Sequence, residues 1–185
     1  MGLRRTTLPA AEPLTLAEAK LHLRVDDASE DTLIASLITV ARMACEERTQ
    51  TTMINSGWTL TLNSFDDLEY LSRPPVVSIV SISYVNPSGT TVIMSSGDYM
   101  LEATNDKPMV MPVTDWPETK DQLNAVTVVY TAGYGASGAN VPAPLKQWML
   151  LAIGDMYANR ETSSDRPVVP QDFAVRLLDP WIAYP

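Results

Sequence analysis

The stretch Val128–Trp148, VVYTAGYGASGANVPAPLKQW, carries the pattern G-x-G-x-x-G at Gly133, Gly135 and Gly138. It leaves a segment of period 2 and enters one of period 3.6, so its reading decides the fold. In a dinucleotide-binding fold the helix begins inside the glycine turn, its N-terminus faces a pyrophosphate, and the sheet is parallel. Here ANVP separates the last glycine from the helical pattern. An acidic residue is expected at the end of the next strand, roughly 20 positions on. The chain instead reads NRE there, at the end of a helical pattern with no strand after it. No Lys-Ser/Thr pair follows the glycines, which excludes a Walker phosphate loop. The glycines read as a sheet-to-helix exit, where unusual dihedrals are tolerated. A nucleotide- or sugar-binding enzyme using the Gly133–Gly138 loop is the minor alternative.

Upstream of this exit the period is 2. WTLTLNSF, PPVVSIVSISYV, TVIM, DYMLEA, PMVMPV and AVTVVYTA are short strands separated by turn signals such as NPSG and SSGD. Close spacing implies hairpins, hence a mainly antiparallel sheet. Further upstream the period returns to 3.6. Thr15 and Glu18 form a capping box for a short helix over 16–23. Ser29 is the expected cap of a second helix running to Thr49, with Glu46, Glu47 and Arg48 ending its solvated face. Downstream, Pro142 and Pro144 suit the first turn of a third helix, over 143–159. Leu33, Leu37, Ile38, Ala41, Leu145, Met149, Ala152 and Met156 are expected to meet in one core.

The fold class is therefore α+β: a small helical core of three main helices with an inserted, mainly antiparallel β module. The expected divisions are an N-terminal arm (1–13), a helical core (14–56 and 132–160), a β-rich insertion (57–131), and a C-terminal linker and tail (161–185). QDFAVRLL in that tail has room for one or two helical turns.

Composition narrows the function. The 185 residues carry a formal charge of -9, with 22 acidic against 13 basic side chains, so a basic face for duplex DNA is not expected. No apolar run approaches the roughly 20 residues of a membrane span, and MGLRRTTLPAAEP has no apolar segment of signal-peptide type. Cys45, the one cysteine, lies on the apolar stripe and reads as core; His22, the one histidine, has no partner at ligand spacing. The clusters Asp26-Asp27, Glu30-Asp31 and Asp66-Asp67-Glu69 lack the spacing of a calcium loop. Trp58 and Trp148 sit in core patterns, and Trp116 and Trp181 look free. No catalytic residue, cofactor site or metal site is nominated.

The motifs then combine. LTLAEAKLHLRVD followed by DTLIASLITVARMACEERT, then WTLTLNSF, LSRPPVVSIVSISYVNPSGT, DYMLE, AVTVVYTAGYG, VPAPLKQWMLLAIGDMYANRE and LLDPW resemble, in order and spacing, the bacteriophage head-tail connector (adaptor) family, in its larger branch with a β-rich insertion. The resemblance implies a structural protein of a tailed phage or prophage. It implies a ring of about twelve copies, closed head to tail, beneath the portal protein, extending the DNA channel and docking the next connector or tail-completion protein. The place is the virion, after assembly in the host cytoplasm, with no membrane. A different connector layer, a stopper or tail terminator, is the structural alternative.

The resemblance also implies that the C-terminal segment grips the portal, through Phe173, Leu177, Leu178, Trp181 and Tyr184. Leu3 and Leu8 in the front arm, and Trp181, Ile182 and Tyr184 in the tail, are apolar residues that a monomer is expected to leave exposed until they dock on a neighbour. DNA must pass through the lumen without being bound. Asp26, Asp27, Glu30 and Asp31 are the expected channel-facing residues, since a ring of carboxylates repels the duplex.

Overall fold

The computed structural model describes residues 2–104, 107–159 and 176–183. The chain forms two units, a sheet unit from Met1–Ala10 with Asn55–Tyr134, and a helical unit from Ala11–Ile54 with Gly135–Tyr184.

In the helical unit α1 (Leu16–Leu23), α2 (Asp31–Thr49) and α3 (Ala143–Ala158) touch one another. The capping box of α1 is present: the Glu18 N–H donates to Thr15 Oγ1 at 3.1 Å, and the Thr15 N–H donates to Glu18 Oε2 at 2.7 Å. Arg24, left-handed at φ 58°, closes the helix. Ser29 does not cap α2. Its N–H donates to Asp27 Oδ1 at 2.8 Å and its hydroxyl to the same oxygen, because an Asp two residues upstream satisfies it locally. Pro142 precedes α3 and Pro144 lies in its first turn.

The buried stripe is Ile34, Ile38, Ala41 and Cys45 on α2, with Leu145, Met149 and Ile153 on α3. Each large side chain so buried contributes about 1.5–3 kcal/mol relative to exposure. Ile38, Ala41, Leu145 and Met149 lie where expected, but Leu33, Leu37, Ala152 and Met156 are only half-buried. The buried face of each helix is turned only slightly from the expected one, toward Ile34 and Cys45 on α2 and Ile153 on α3. Glu46, expected on the solvated face, is 3% exposed.

Glu18 also binds a second helix: Lys146 Nζ lies 2.8 Å from its Oε1. That hydrogen bond and the Thr15 N–H hold the Glu18 carboxyl down from 4.5 to about 2. A depressed carboxylate stabilises the fold above its unfolded value, and this is lost as pH falls from 4.5 toward about 2. Glu18→Gln is expected to cost about 1 kcal/mol or less at neutral pH, since the pair is partly solvated. The gap between wild type and variant should close in that acid window. Urea midpoints against pH check this; a gap independent of pH would mean that the ionised form is not what stabilises.

The sheet unit holds β1 (Gly2–Thr7), β2 (Ser56–Leu62), β3 (Val76–Val85), β4 (Thr91–Ile93), β5 (Tyr99–Glu102), β6 (Met109–Pro112) and β7 (Val126–Ala132). The main sheet has the order β1-β2-β7-β3-β4, and β5 pairs with β6 in a separate small sheet. Every pairing is antiparallel. The last of the described strands in sequence is thus the central one of this sheet. Alternation on β2 and β7 sends Trp58, Leu60, Leu62, Val126, Val128 and Tyr130 to one face, where they meet Ile82 of β3. Tyr130 is fully buried, and its hydroxyl donates to the Ser72 carbonyl at 2.7 Å. Register shifts in β3 between Val76 and Ser78 and between Ile79 and Ser81 turn Val77 and Val80 outward.

The expected front arm is extended, as its prolines require, but Gly2–Thr7 is an edge strand paired with β2. Leu3 packs on the sheet core instead of standing free. Trp116 is not free either: it stacks on Phe65 with ring centroids 4.5 Å apart.

Candidate functional site

The glycine motif is divided between the units. Gly133 lies in the sheet unit, one residue before that segment ends, and its N–H donates to the Pro75 carbonyl at 2.8 Å, while Gly135 and Gly138 lie at the start of the second segment of the helical unit. At Gly138 an added Cβ would lie 2.2 Å from the Pro13 carbonyl oxygen, so glycine is required by close backbone approach. The loop is occupied by its own chain, and a short 3₁₀ turn, Gly138–Asn140, intervenes before α3. No helix N-terminus opens within the glycines, so the geometry gives a phosphate no cradle.

His22 is exposed, and its ring lies against Gly154 of α3, where a Cβ would be 3.5 Å from Nε2. Cys45 is fully buried, and burial together with the nearby Glu46 carboxylate pushes its thiol up to about 12. Among the described residues no three His, Cys, Asp or Glu side chains are grouped to hold a metal ion. No helix among them is long and apolar enough to cross a membrane.

The acidic turn between α1 and α2 has internal structure. Lys20 Nζ donates to the Asp27 carbonyl at 2.7 Å and to Asp31 Oδ1 at 2.6 Å. The Tyr157 hydroxyl donates to Glu30 Oε2. Hydrogen bonds from the Ser29 hydroxyl and N–H hold the Asp27 carboxyl below its usual range. Asp26 and Asp27 are exposed; Glu30 and Asp31 are half-buried. The four expected channel residues are thus brought together on one turn, with charge outward at Asp26 and Asp27.

The five expected portal residues are not alike. Phe173 and Tyr184 lie outside the described residues. Leu177 and Trp181 are half-buried, and Leu178 is fully buried. Leu178 leads into a 3₁₀ turn, Asp179–Trp181, and the Ala183 N–H then donates to the Thr49 carbonyl at 2.8 Å. Thr49 ends α2, so this bond satisfies a carbonyl that the helix leaves orphaned. The described part of the tail is therefore docked within the helical unit, not free as the sequence suggested.

Sequence reasoning missed a buried charge cluster. Arg42, 5% exposed, donates from Nε to Glu12 Oε2 at 2.7 Å and from Nη1 to Glu46 Oε2 at 2.9 Å. Glu46 Oε1 accepts the Met53 N–H at 3.0 Å. The signal was an Arg and Glu at i,i+4 flanking the stripe positions Ala41 and Cys45.

The family model for the phage gp6-like head-tail connector protein matches residues 13–106, half of the chain. The chain belongs to that connector family. A chain from the virion of a native gene transfer agent particle is similar throughout, with 25% identity, a TM-score of 0.83, and coverage of 100% of this chain and 97% of that one. A chain from the neck of an empty particle of that kind, computed with C6 symmetry, has 23% identity, a TM-score of 0.83 and the same coverage. One from the neck of a native particle, computed with C12 symmetry, has 24% identity and a TM-score of 0.76, covering 100% of this chain and 97% of that one. A search of curated proteins finds no match. The connector-family match contains α1, α2 and the strands from β2 to β5; α3 falls outside it and is covered by the structural likeness.

Proposed function

We propose that this chain is the adaptor layer of a head-tail connector. About twelve copies close head to tail beneath a portal protein, extend its DNA channel, and present the docking surface for the next connector or tail-completion protein. The supporting observation is the likeness over the whole chain to a virion component, joined to membership of the connector family. Gly135 and Gly138 of the glycine loop are packed against the chain's own atoms and Cys45 is buried in the core, so none of the three is open to a ligand.

In this reading the turn bearing Asp26 and Asp27 faces the lumen. Carboxylates there repel the duplex and keep a layer of water and ions around it, whereas lysines would add salt-dependent affinity with each phosphate neutralised. Leu177 and Trp181 face the portal, with Phe173 and Tyr184; Leu178 holds the segment to its own unit. Mixing the purified protein with its portal and imaging the complex in negative stain tests the assignment. The expected result is a ring of about twelve subunits stacked coaxially on the portal. Portal alone, with no added ring at saturating protein, would overturn it. Changing both Asp26 and Asp27 to Lys should leave the ring intact and slow DNA ejection, more so at low salt, where screening is weaker.

A further inference from the structure

The small sheet has one face in the core and one in solvent. Tyr99, Leu101 and Val110 point inward against the sheet core. Met100 pairs with Met111 and Glu102 with Met109, all outward. Met100, Met109, Met111 and Val113 are 53%, 42%, 47% and 54% exposed. Apolar residues scattered singly on a surface need no explanation, but three methionines gathered on one two-stranded face, with Val113 just past its end, mark an interaction surface. Methionine suits such a face because its flexible thioether adapts to a partner. Met109 and Met111 also border an open cleft of about 500 Å³, with Leu68, Tyr70 and Trp116. The face is acidic at its margins, with Asp98 and Glu102 exposed beside Met100 and Glu69 on the cleft. The cation there, Lys107, stands over the Tyr70 ring, 5.3 Å from its centroid.

The same unit carries a surface of opposite character. Residues 2–10 contain Arg4 and Arg5 and no acid. Gly2–Thr7 of this segment is the edge strand β1, and Leu8, just past its end, is 77% exposed. Arg4 is exposed as well. A closed head-to-tail ring needs two different, complementary patches on each copy, at a separation fixed by the fold. One patch here is apolar and acidic, the other apolar and basic, and both belong to the sheet unit. Such complementarity sets the register of an interface and disfavours the reversed pairing.

We propose that the outward face of the β5–β6 hairpin receives the N-terminal edge of the next copy of this chain, with Leu8 entering the cleft beside Met109 and Met111 and Arg4 meeting Glu102. The proposal rests on the ring reading above and assigns its subunit contact. Because Cys45 is sealed in the core, introduced surface cysteines are the reactive thiols.

The test is therefore disulfide trapping in rings assembled on the portal. Leu8→Cys combined with Met111→Cys should give, on mild oxidation, a ladder of covalent multimers rising to the full ring, while each single variant stays monomeric. Met100→Glu with Met111→Glu should lower ring yield at least tenfold at an unchanged unfolding temperature. Arg4→Glu should lower it also, and Glu102→Arg should restore it. Rings that assemble without a ladder, and that tolerate the glutamates, would overturn this contact while the adaptor reading stands. Failure of the wild-type protein to form rings on the portal would overturn the reading itself, and the contact with it.

Discussion

Arg42→Ala is expected to lower the unfolding free energy by about 3–5 kcal/mol, the usual cost of removing one partner from a buried ion pair. The guanidinium lies between Glu12 and Glu46, at 2.7 and 2.9 Å. Burial alone would lower the Arg42 pKa, but the two carboxylates outweigh it and hold the group above its ordinary value. Without the cation, the Glu46 carboxylate is left 3% exposed and without the guanidinium that neutralises it, while the Met53 N–H still donates to its other oxygen. A control separates charge from packing. The triple change Glu12→Gln, Arg42→Met, Glu46→Gln removes all three charges at similar volume and should cost far less than Arg42→Ala, since the desolvation penalty disappears with the attraction. Denaturant midpoints at neutral pH measure both. An Arg42→Ala cost below about 1 kcal/mol, the level of a surface pair, would mean that water reaches the cluster. Its role is to fix Glu12, and so the chain just before α1, to the middle of α2.

What the sequence revealed, and what it hid, follows from the range of each interaction. The capping box of Thr15 and Glu18, and the prolines at the start of α3, are local, so α1 and α3 were legible to within a residue. The alternation in WTLTL and VTVVY is local too. Strand order is not: nothing in AVTVVYTA says that it lies between β2 and β3. β1 was hidden because GLRRTT has no apolar alternation and finds its partner only in β2, far along the chain. Glu46 was misread because a charge near a helix end usually faces water; Arg42, one turn earlier, was the clue. The acidic turn was legible as a cluster, while the pairing of Asp31 with Lys20 and of Glu30 with Tyr157 needed the packed helices. The methionine face shows the same limit: PMVMP reads as a strand, but which methionines stay outside depends on what covers the sheet.

The tail carries the second large effect. Leu178→Ala is expected to cost about 2–5 kcal/mol, because a fully buried leucine leaves a cavity when truncated. Trp181→Ala should cost less stability, since that ring is only half-buried. Binding should show the opposite order. In the proposed adaptor, Trp181 and Leu177 meet the portal, so Trp181→Ala should weaken attachment at nearly normal stability, while Leu178→Ala weakens it chiefly by releasing the segment. The Ala183 N–H bonded to the Thr49 carbonyl makes that release visible: amide exchange at Ala183 should become fast in Leu178→Ala and stay slow in Trp181→Ala. Equilibrium unfolding and portal titrations of both variants decide the matter. If Leu178→Ala unfolds like the wild type, the tail is not part of the helical core. If Trp181→Ala binds portal normally, the contact lies elsewhere on the chain. With both outcomes as expected, one short segment holds its own unit with one side chain and the partner with the next turn. Portal binding must then stabilise the helical unit by mass action, since only the docked tail presents Trp181 correctly.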